Sequence, residues 1–310
     1  MFRIINHLKY FIILSHVISW TASADSIAPV HPAIASAHPL ATQAGYDILS
    51  QGGNAFDAAV AVSAALSVVE PYSSGIGGGA FFLLHRASDS FEVFVDAREK
   101  APGKSDSDMY LDENSNVVPR VSLDGALAAG IPGLAAGLTH VSEKYGVLPL
   151  DQVLAPAISL AENGFSVYER FNTALKVAIA IDVMSPKFLE TFTIDGETPK
   201  VGTLIKQPEL ATTLRVIARQ GHDGFYKSQF TRTMVEESNK NGSIWTTDDF
   251  ANYSIVERKP LKVQFSDYQL TLAPPPSSGG TTIATILNII SEYNYRDMNS
   301  DAFVHLITEA

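Results

Sequence analysis

The chain has 310 residues, 46% of them hydrophobic and 18% charged, enough for one large core or two smaller ones. Its formal charge of −11 argues against nucleic acid as a partner, because phosphate contacts need clustered Lys and Arg. The absence of cysteine excludes disulfides, thiolate metal sites and a cysteine nucleophile.

Arg3 and Lys9 precede an apolar run from Tyr10 to Trp20, and Ala22-Ser23-Ala24 supplies the small-x-small pattern of a signal peptidase site. The pattern predicts a signal peptide over residues 1–24 and a mature chain beginning near Asp25, exported to the periplasm or outside the cell. An uncleaved N-terminal anchor is the alternative, although the run is short for a bilayer and His16 interrupts it. Cleavage would remove Arg3 and Lys9 and take the formal charge from −11 to −13. No later stretch is long and apolar enough for a transmembrane helix.

Pro39–Gln51 suits a helix, with Pro at its start and Gly52 beyond its end. Asn54 then caps a second helix, Ala55–Val69, with Asp57 in its first turn. That helix has almost no polar face, which predicts burial on all sides. Strands follow at Ala80–His85 and Phe91–Asp96, paired as an antiparallel hairpin. Helices are predicted from Ile131-Pro132-Gly133 to Tyr145-Gly146, over Leu150–Glu162, over Gln207–Gln220 and over Gly224–Asn239. A second hairpin joins Leu261–Phe265 to Gln269–Leu272, and Pro274–Gly280 leads into a helix at Thr281–Ser291. Paired strands and grouped helices indicate a layered α+β architecture. The chain stops inside the helical spacing of Asp301–Glu309, which suggests truncation, a frayed native end being the alternative.

Gly75-Ile76-Gly77-Gly78-Gly79-Ala80 formally matches a dinucleotide fingerprint. A helix precedes it and a strand follows, the reverse of what pyrophosphate binding requires, so nucleotide binding is rejected. Close passage of backbone past a ligand or another strand is the better reason for these glycines. Asp96-Ala97-Arg98-Glu99-Lys100-Ala101-Pro102 lies at the end of the partner strand, so the two segments could face one cavity. An Arg there can grip a carboxylate through two parallel hydrogen bonds, but spacing alone favours a surface ion pair with Asp96 or Glu99. No G-x-S-x-G elbow or H-E-x-x-H helix is present, and His31, His38, His85, His140, His222 and His305 show no metal spacing. Thr281-Thr282 reads as a helix start, since cleavage there would free too few residues to build a catalytic subunit.

Taken together, Gly52–Ala61, Gly75–Phe81, Asp96–Pro102, Gly130–Gly133, Lys144-Tyr145-Gly146 with Leu148-Pro149, and Pro274–Gly280 closely resemble, in order and separation, the large-subunit region of the γ-glutamyltransferases (γ-glutamyltranspeptidases, glutathione hydrolases). The likeness runs from about Ile27 to the end. It implies a four-layer αββα N-terminal-nucleophile hydrolase fold, incomplete in this chain, with residues 25–310 forming the large-subunit region. It implies γ-glutamyl substrates such as glutathione, acceptor amino acids or water, and no metal or organic cofactor. The nucleophile would be a threonine heading a small subunit that this chain does not contain, so the chain alone would supply no catalytic residue and would be inactive. Arg98 matches the family arginine that binds the substrate α-carboxylate, and Glu99 would shape the same wall. A related acylase of the cephalosporin or polyglutamate-processing type is the first alternative. A non-catalytic exported remnant is the second.

Mass spectrometry of the exported protein should find Asp25, or a residue close to it, at the mature N-terminus. Intact Met1 on exported material would overturn the signal-peptide reading.

Overall fold

The structure is a computed structural model that describes residues 31–181 and 184–310; the expected signal peptide at 1–24 lies outside the described residues. Helix α1 (Pro39–Ser50) begins where the His38 Nδ1 accepts the Leu40 N–H at 3.1 Å, and the chain leaves it through Gly52 at φ 91°. Helix α2 (Ala55–Val69) starts with the predicted cap. Asn54 Oδ1 accepts the N–H groups of Phe56 and Asp57, and the Asp57 carboxylate accepts the Asn54 N–H at 2.9 Å.

Asp57 is fully buried, so its charge needs further partners. It accepts the Val147 N–H at 3.0 Å, while Asn54 Nδ2 donates to the Tyr145 carbonyl at 2.8 Å. The start of α2 is thereby tied to the end of helix α3 (Leu134–Tyr145), joining two motifs about 90 residues apart. Alanines along α2 let α1, α3 and helix α4 (Leu150–Asn163) pack closely against it.

Strands β1 (Ala80–Arg86) and β2 (Phe91–Ala97) form the predicted hairpin, in register from Ala80 opposite Ala97 to Arg86 opposite Phe91. After α4, which ends at Gly164 with φ 95°, come the two-residue strands β3 (Phe165–Ser166) and β4 (Leu204–Ile205), which pair with each other. Between them lie helices α5 (Glu169–Ala180) and α6 (Pro186–Phe192), neither predicted, although α6 carries a start signal in Ser185-Pro186, the Ser185 hydroxyl accepting the Phe188 N–H at 3.1 Å. Tyr168 at the start of α5 makes no side-chain cap, and the helix is held by burial of Phe171 and Leu175, one turn apart.

Of the predicted pair, Gln207–Gln220 ends where expected and Gly224–Asn239 is corrected. Within helix α7 (Pro208–Tyr226) the non-helical Gly221 (φ 57°, ψ −139°) breaks the helical run directly after Gln220, a short second piece ends at Tyr226, and helix α8 (Gln229–Lys240) begins only after Ser228. Phe225 and Tyr226, which close the short piece, are buried. The short helix α9 (Thr247–Ala251) follows, with a capping box between Thr246 and Asp249.

Strand β5 (Val256–Arg258) then joins the other edge of β2, giving the order β1-β2-β5. Val93, Val95 and Ala97 of β2 are buried on one face of this sheet, and α3 packs against β1 and β2. On the other face Glu92 pairs with Lys262 at 2.6 Å and accepts from Thr271 at 3.0 Å. These partners belong to the hairpin of β6 (Leu261–Phe265) and β7 (Tyr268–Leu272). Helix α10 (Ser278–Ser291) packs against that hairpin and starts three residues before the predicted Thr281; helix α11 (Ser300–Glu309) contacts α10. Among the described residues no helix is long and apolar enough to cross a membrane.

Two close contacts hold this frame. A β-carbon at Gly133 would collide with the Ala97 carbonyl and the Tyr253 hydroxyl. On β5, Glu257 gathers Lys144 Nζ at 2.7 Å, His140 Nε2 at 2.7 Å and the Tyr145 hydroxyl. Burial alone would raise the Glu257 carboxyl, but hydrogen bonds from Lys144, Tyr145 and His140 outweigh it and bring its pKa to about 2, from an ordinary 4.5.

Gly133→Ala should therefore destabilise the chain by roughly 1–3 kcal/mol through overpacking, read as a lower urea midpoint; an unchanged midpoint would show that the contact relaxes freely. Because the folded pKa of Glu257 is depressed, its stabilising contribution is present above pH 4.5 and is lost as pH falls toward 2. Glu257→Gln should lower the urea midpoint at pH 7 and flatten its decline between those pH values; parallel acid profiles would refute the assignment.

Candidate functional site

Strand register brings the two sequence-predicted segments together. Ala80 and Ala97 are paired, so the loop Gly75–Gly79 enters β1 beside the point where Arg98 and Glu99 leave β2. The backbones touch: a β-carbon at Gly79 would lie 2.8 Å from the Ala97 carbonyl oxygen and 2.8 Å from Glu99 Oε2. Only a residue without a side chain fits there. Next to it the Gly78 carbonyl accepts the N–H groups of Gly133 and Leu134, both at 2.9 Å. Those amides open α3 and have no partner within the helix, so the glycine loop satisfies them. The bridge between Lys100 and Ile131, with N–H to O distances of 2.7 and 3.1 Å, completes the seam.

A cleft of about 270 Å³ opens along this seam, lined by Ser73, Ser74, Gly75, Gly78, Gly79 and Glu99 among others. Its walls offer hydroxyls, loop backbone and one carboxylate. Glu99 faces the cleft, whereas Arg98 is not among its lining residues. The Arg98 guanidinium lies 5.9 Å from the centre of the Phe81 ring. Alternation along the chain accounts for the difference, since successive side chains point to opposite sides.

The surface pairing that spacing favoured for Arg98 is not what forms. Asp96 is buried and pairs instead with Arg258 on β5, accepting Nε at 2.9 Å and Nη2 at 2.8 Å. Its other oxygen accepts the Arg98 backbone N–H at 3.1 Å. The Arg98 carbonyl accepts the Tyr253 hydroxyl at 2.8 Å. Among the described residues the exposed Arg98 guanidinium has no hydrogen bond or ion pair. Its main chain is thus held at both ends while its charged group stays available.

Tyr253 is the residue the sequence reading missed. It stacks on Tyr226 at 5.1 Å, and the Tyr226 hydroxyl donates to the Pro132 carbonyl at 2.8 Å. Burial, then the charges of Asp96 and Glu99, push the Tyr253 phenol up, so it stays protonated and donating. Lys100 Nζ lies 5.0 Å from the same ring and donates to the Ser254 carbonyl at 2.8 Å, and Asp249 accepts the Gly103 N–H at 2.8 Å. Residues 249–258 therefore clamp residues 96–103. No local pattern announces this, because each partner is roughly 150 positions away.

A larger groove of about 550 Å³ lies between Tyr72, α5 and α6, but its lining is almost wholly apolar and offers no charge to a polar substrate. Thr281 sits in the first turn of α10, its hydroxyl donating to the Ser278 carbonyl, in keeping with a helix start.

Comparison with known proteins places this geometry. The family model for gamma-glutamyltranspeptidase matches residues 41–310. The glutathione hydrolase proenzyme of Escherichia coli K12 is 39% identical over 285 residues, covering 90% of this chain and 49% of that protein. The glutathione hydrolase proenzyme of Bacillus subtilis strain 168 is 36% identical over 84% of this chain and 44% of its own length. The chain spans about half the length of the curated relatives it matches. In the crystal structure of Helicobacter pylori gamma-glutamyltranspeptidase, one chain superposes with a TM-score of 0.85 at 38% identity, over 91% of this chain and 82% of that one. Matched through nearly its whole described length in both sequence and fold, with its glycine loop and the Asp96–Pro102 segment inside the matched region, this chain belongs to the gamma-glutamyltranspeptidase family.

Proposed function

We propose that this chain is the large-subunit part of an exported enzyme that cleaves γ-glutamyl amides such as glutathione, and that Arg98 binds the substrate α-carboxylate. The observation that carries the proposal is the state of Arg98. Its backbone is fixed by Asp96 and Tyr253, and its guanidinium is exposed and free of ion pairs among the described residues. An arginine held this way has only side-chain freedom left to lose and offers a planar fork to a carboxylate.

In this proposal the nucleophile comes from the portion of the relatives' length that this chain does not span. A threonine hydroxyl attacks the γ-carbonyl carbon, the C–N bond breaks, and the amine leaves with a proton. Water or an acceptor amine then takes the γ-glutamyl group from the resulting ester. The fold would be completed as four layers, αββα. The sequence of α2 and α3, the β1-β2-β5 sheet, the β6–β7 hairpin and α10 supports that order. Exposed Ile283, Ile289, Phe303, Val304 and Ile307 on α10 and α11 supply apolar surface for the remaining part to cover.

In an enzyme completed by the catalytic part, Arg98→Lys should weaken kcat/KM for a γ-glutamyl anilide and Arg98→Ala should weaken it further. The full loss is about 2–4 kcal/mol, the range for removing one side of a charge-assisted pair. A 4-aminobutyryl anilide, which lacks the α-carboxylate, should be nearly indifferent to either change. Equal losses on both anilides would make Arg98 structural and sink the proposal.

A further inference from the structure

We propose that Arg258 and Tyr253 are positioning residues for Arg98, and that Arg258 keeps Arg98 free by occupying the carboxylate that Arg98 would otherwise take; this rests on the reading of Arg98 as the carboxylate-binding group. Asp96 and Arg98 are two residues apart at the end of β2, on the same side of the extended chain. Asp96 is therefore the nearest competitor for the Arg98 guanidinium. Two observations show how that competition is decided. Both nitrogens of the Arg258 fork engage Asp96 Oδ2, at 2.8 and 2.9 Å. The remaining oxygen is occupied by the Arg98 main-chain N–H at 3.1 Å, so it holds the residue by its backbone and not by its charge. Arg258 reaches this place because β5 pairs with β2, Val256 lying opposite Asp96 and Arg258 opposite Phe94.

Tyr253 acts on the other side of the same residue. Its hydroxyl fixes the Arg98 carbonyl at 2.8 Å, and stacking on Tyr226 fixes the ring. With both peptide groups of Arg98 constrained, only its side-chain torsions remain, and the Phe81 ring at 5.9 Å provides a platform for the guanidinium. Removing Arg258 would leave a buried, half-paired carboxylate two residues from a free guanidinium. Pairing between them would be the cheapest repair. The substrate would then compete with an internal anion.

The test uses the completed enzyme with the γ-glutamyl and 4-aminobutyryl anilides. Arg258→Met should raise KM for the γ-glutamyl anilide on the order of tenfold, the size expected for a hydrogen bond to a charged group, with kcat little changed. It should leave the 4-aminobutyryl anilide unaffected, and Arg258→Lys should lie between Met and wild type. Adding Asp96→Asn to Arg258→Met removes the competing anion and should recover part of the lost KM, an outcome that a merely structural pair does not produce. Tyr253→Phe, which keeps the stacked ring, should raise KM several-fold without altering the urea midpoint much. If Arg258→Met harms both anilides equally, or the double variant is no better than the single one, the positioning role is wrong while a selective Arg98→Ala loss leaves the parent reading intact. If Arg98→Ala is itself unselective, both fall together.

Discussion

A buried carboxylate at the end of β2 organises this molecule. Asp96 cannot stay charged inside the fold without partners, and it finds them in the Arg258 guanidinium and the Arg98 backbone N–H. Meeting that need docks β5 on the edge of β2, which makes a three-stranded sheet from a local hairpin and a segment some 160 residues later. The same docking brings Glu257 over α3, and Tyr253 over the seam between Arg98 and Gly133. One electrostatic requirement therefore couples the sheet, the helical layer and the candidate substrate-binding arginine.

The glycine loop does a related job on the other side of β2. Its value lies in backbone proximity and in one carbonyl. Gly79 lets the chain run against Ala97 and Glu99, and Gly78 supplies the acceptor for the open N-terminus of α3. The loop, α3 and the residues after β2 thus form a single rigid corner. An available charged group is best mounted on such a corner, because binding then immobilises little besides the group itself. The contrast is with Glu257, whose carboxylate is saturated by three donors, whereas the Arg98 guanidinium has no hydrogen-bond or ion-pair partner among the described residues.

The family relationship sets the chemical context for these observations, and the half-length coverage sets its extent. The described residues contribute a carboxylate-binding candidate, a polar cleft and an apolar flank on α10 and α11. In the proposed reaction the first grips the substrate and the last is covered by the nucleophile-bearing part, while the cleft, which Arg98 does not line, is given no role. The large apolar groove beside α5 has no corresponding use there, since it presents almost no polar atoms.

Much of the local structure was legible in the sequence, because the signals are themselves local. Asn54 and Asp57 announce the start of α2, alternating apolar residues announce β1 and β2, and the placement of the glycine loop beside Arg98 follows from their hairpin register. Elements without such chemistry were not legible. Helix α5 lacks a side-chain cap and β5 is three residues long. For the site, the residue identities and the family resemblance singled out Arg98, but spacing favoured its pairing with Asp96 or Glu99. Only the tertiary structure decided that Asp96 belongs to Arg258 and that the Arg98 carbonyl belongs to Tyr253. The reason is physical: caps and strand alternation depend on neighbours within a few residues, whereas the partner of a buried charge is whichever opposite group the completed fold delivers to it.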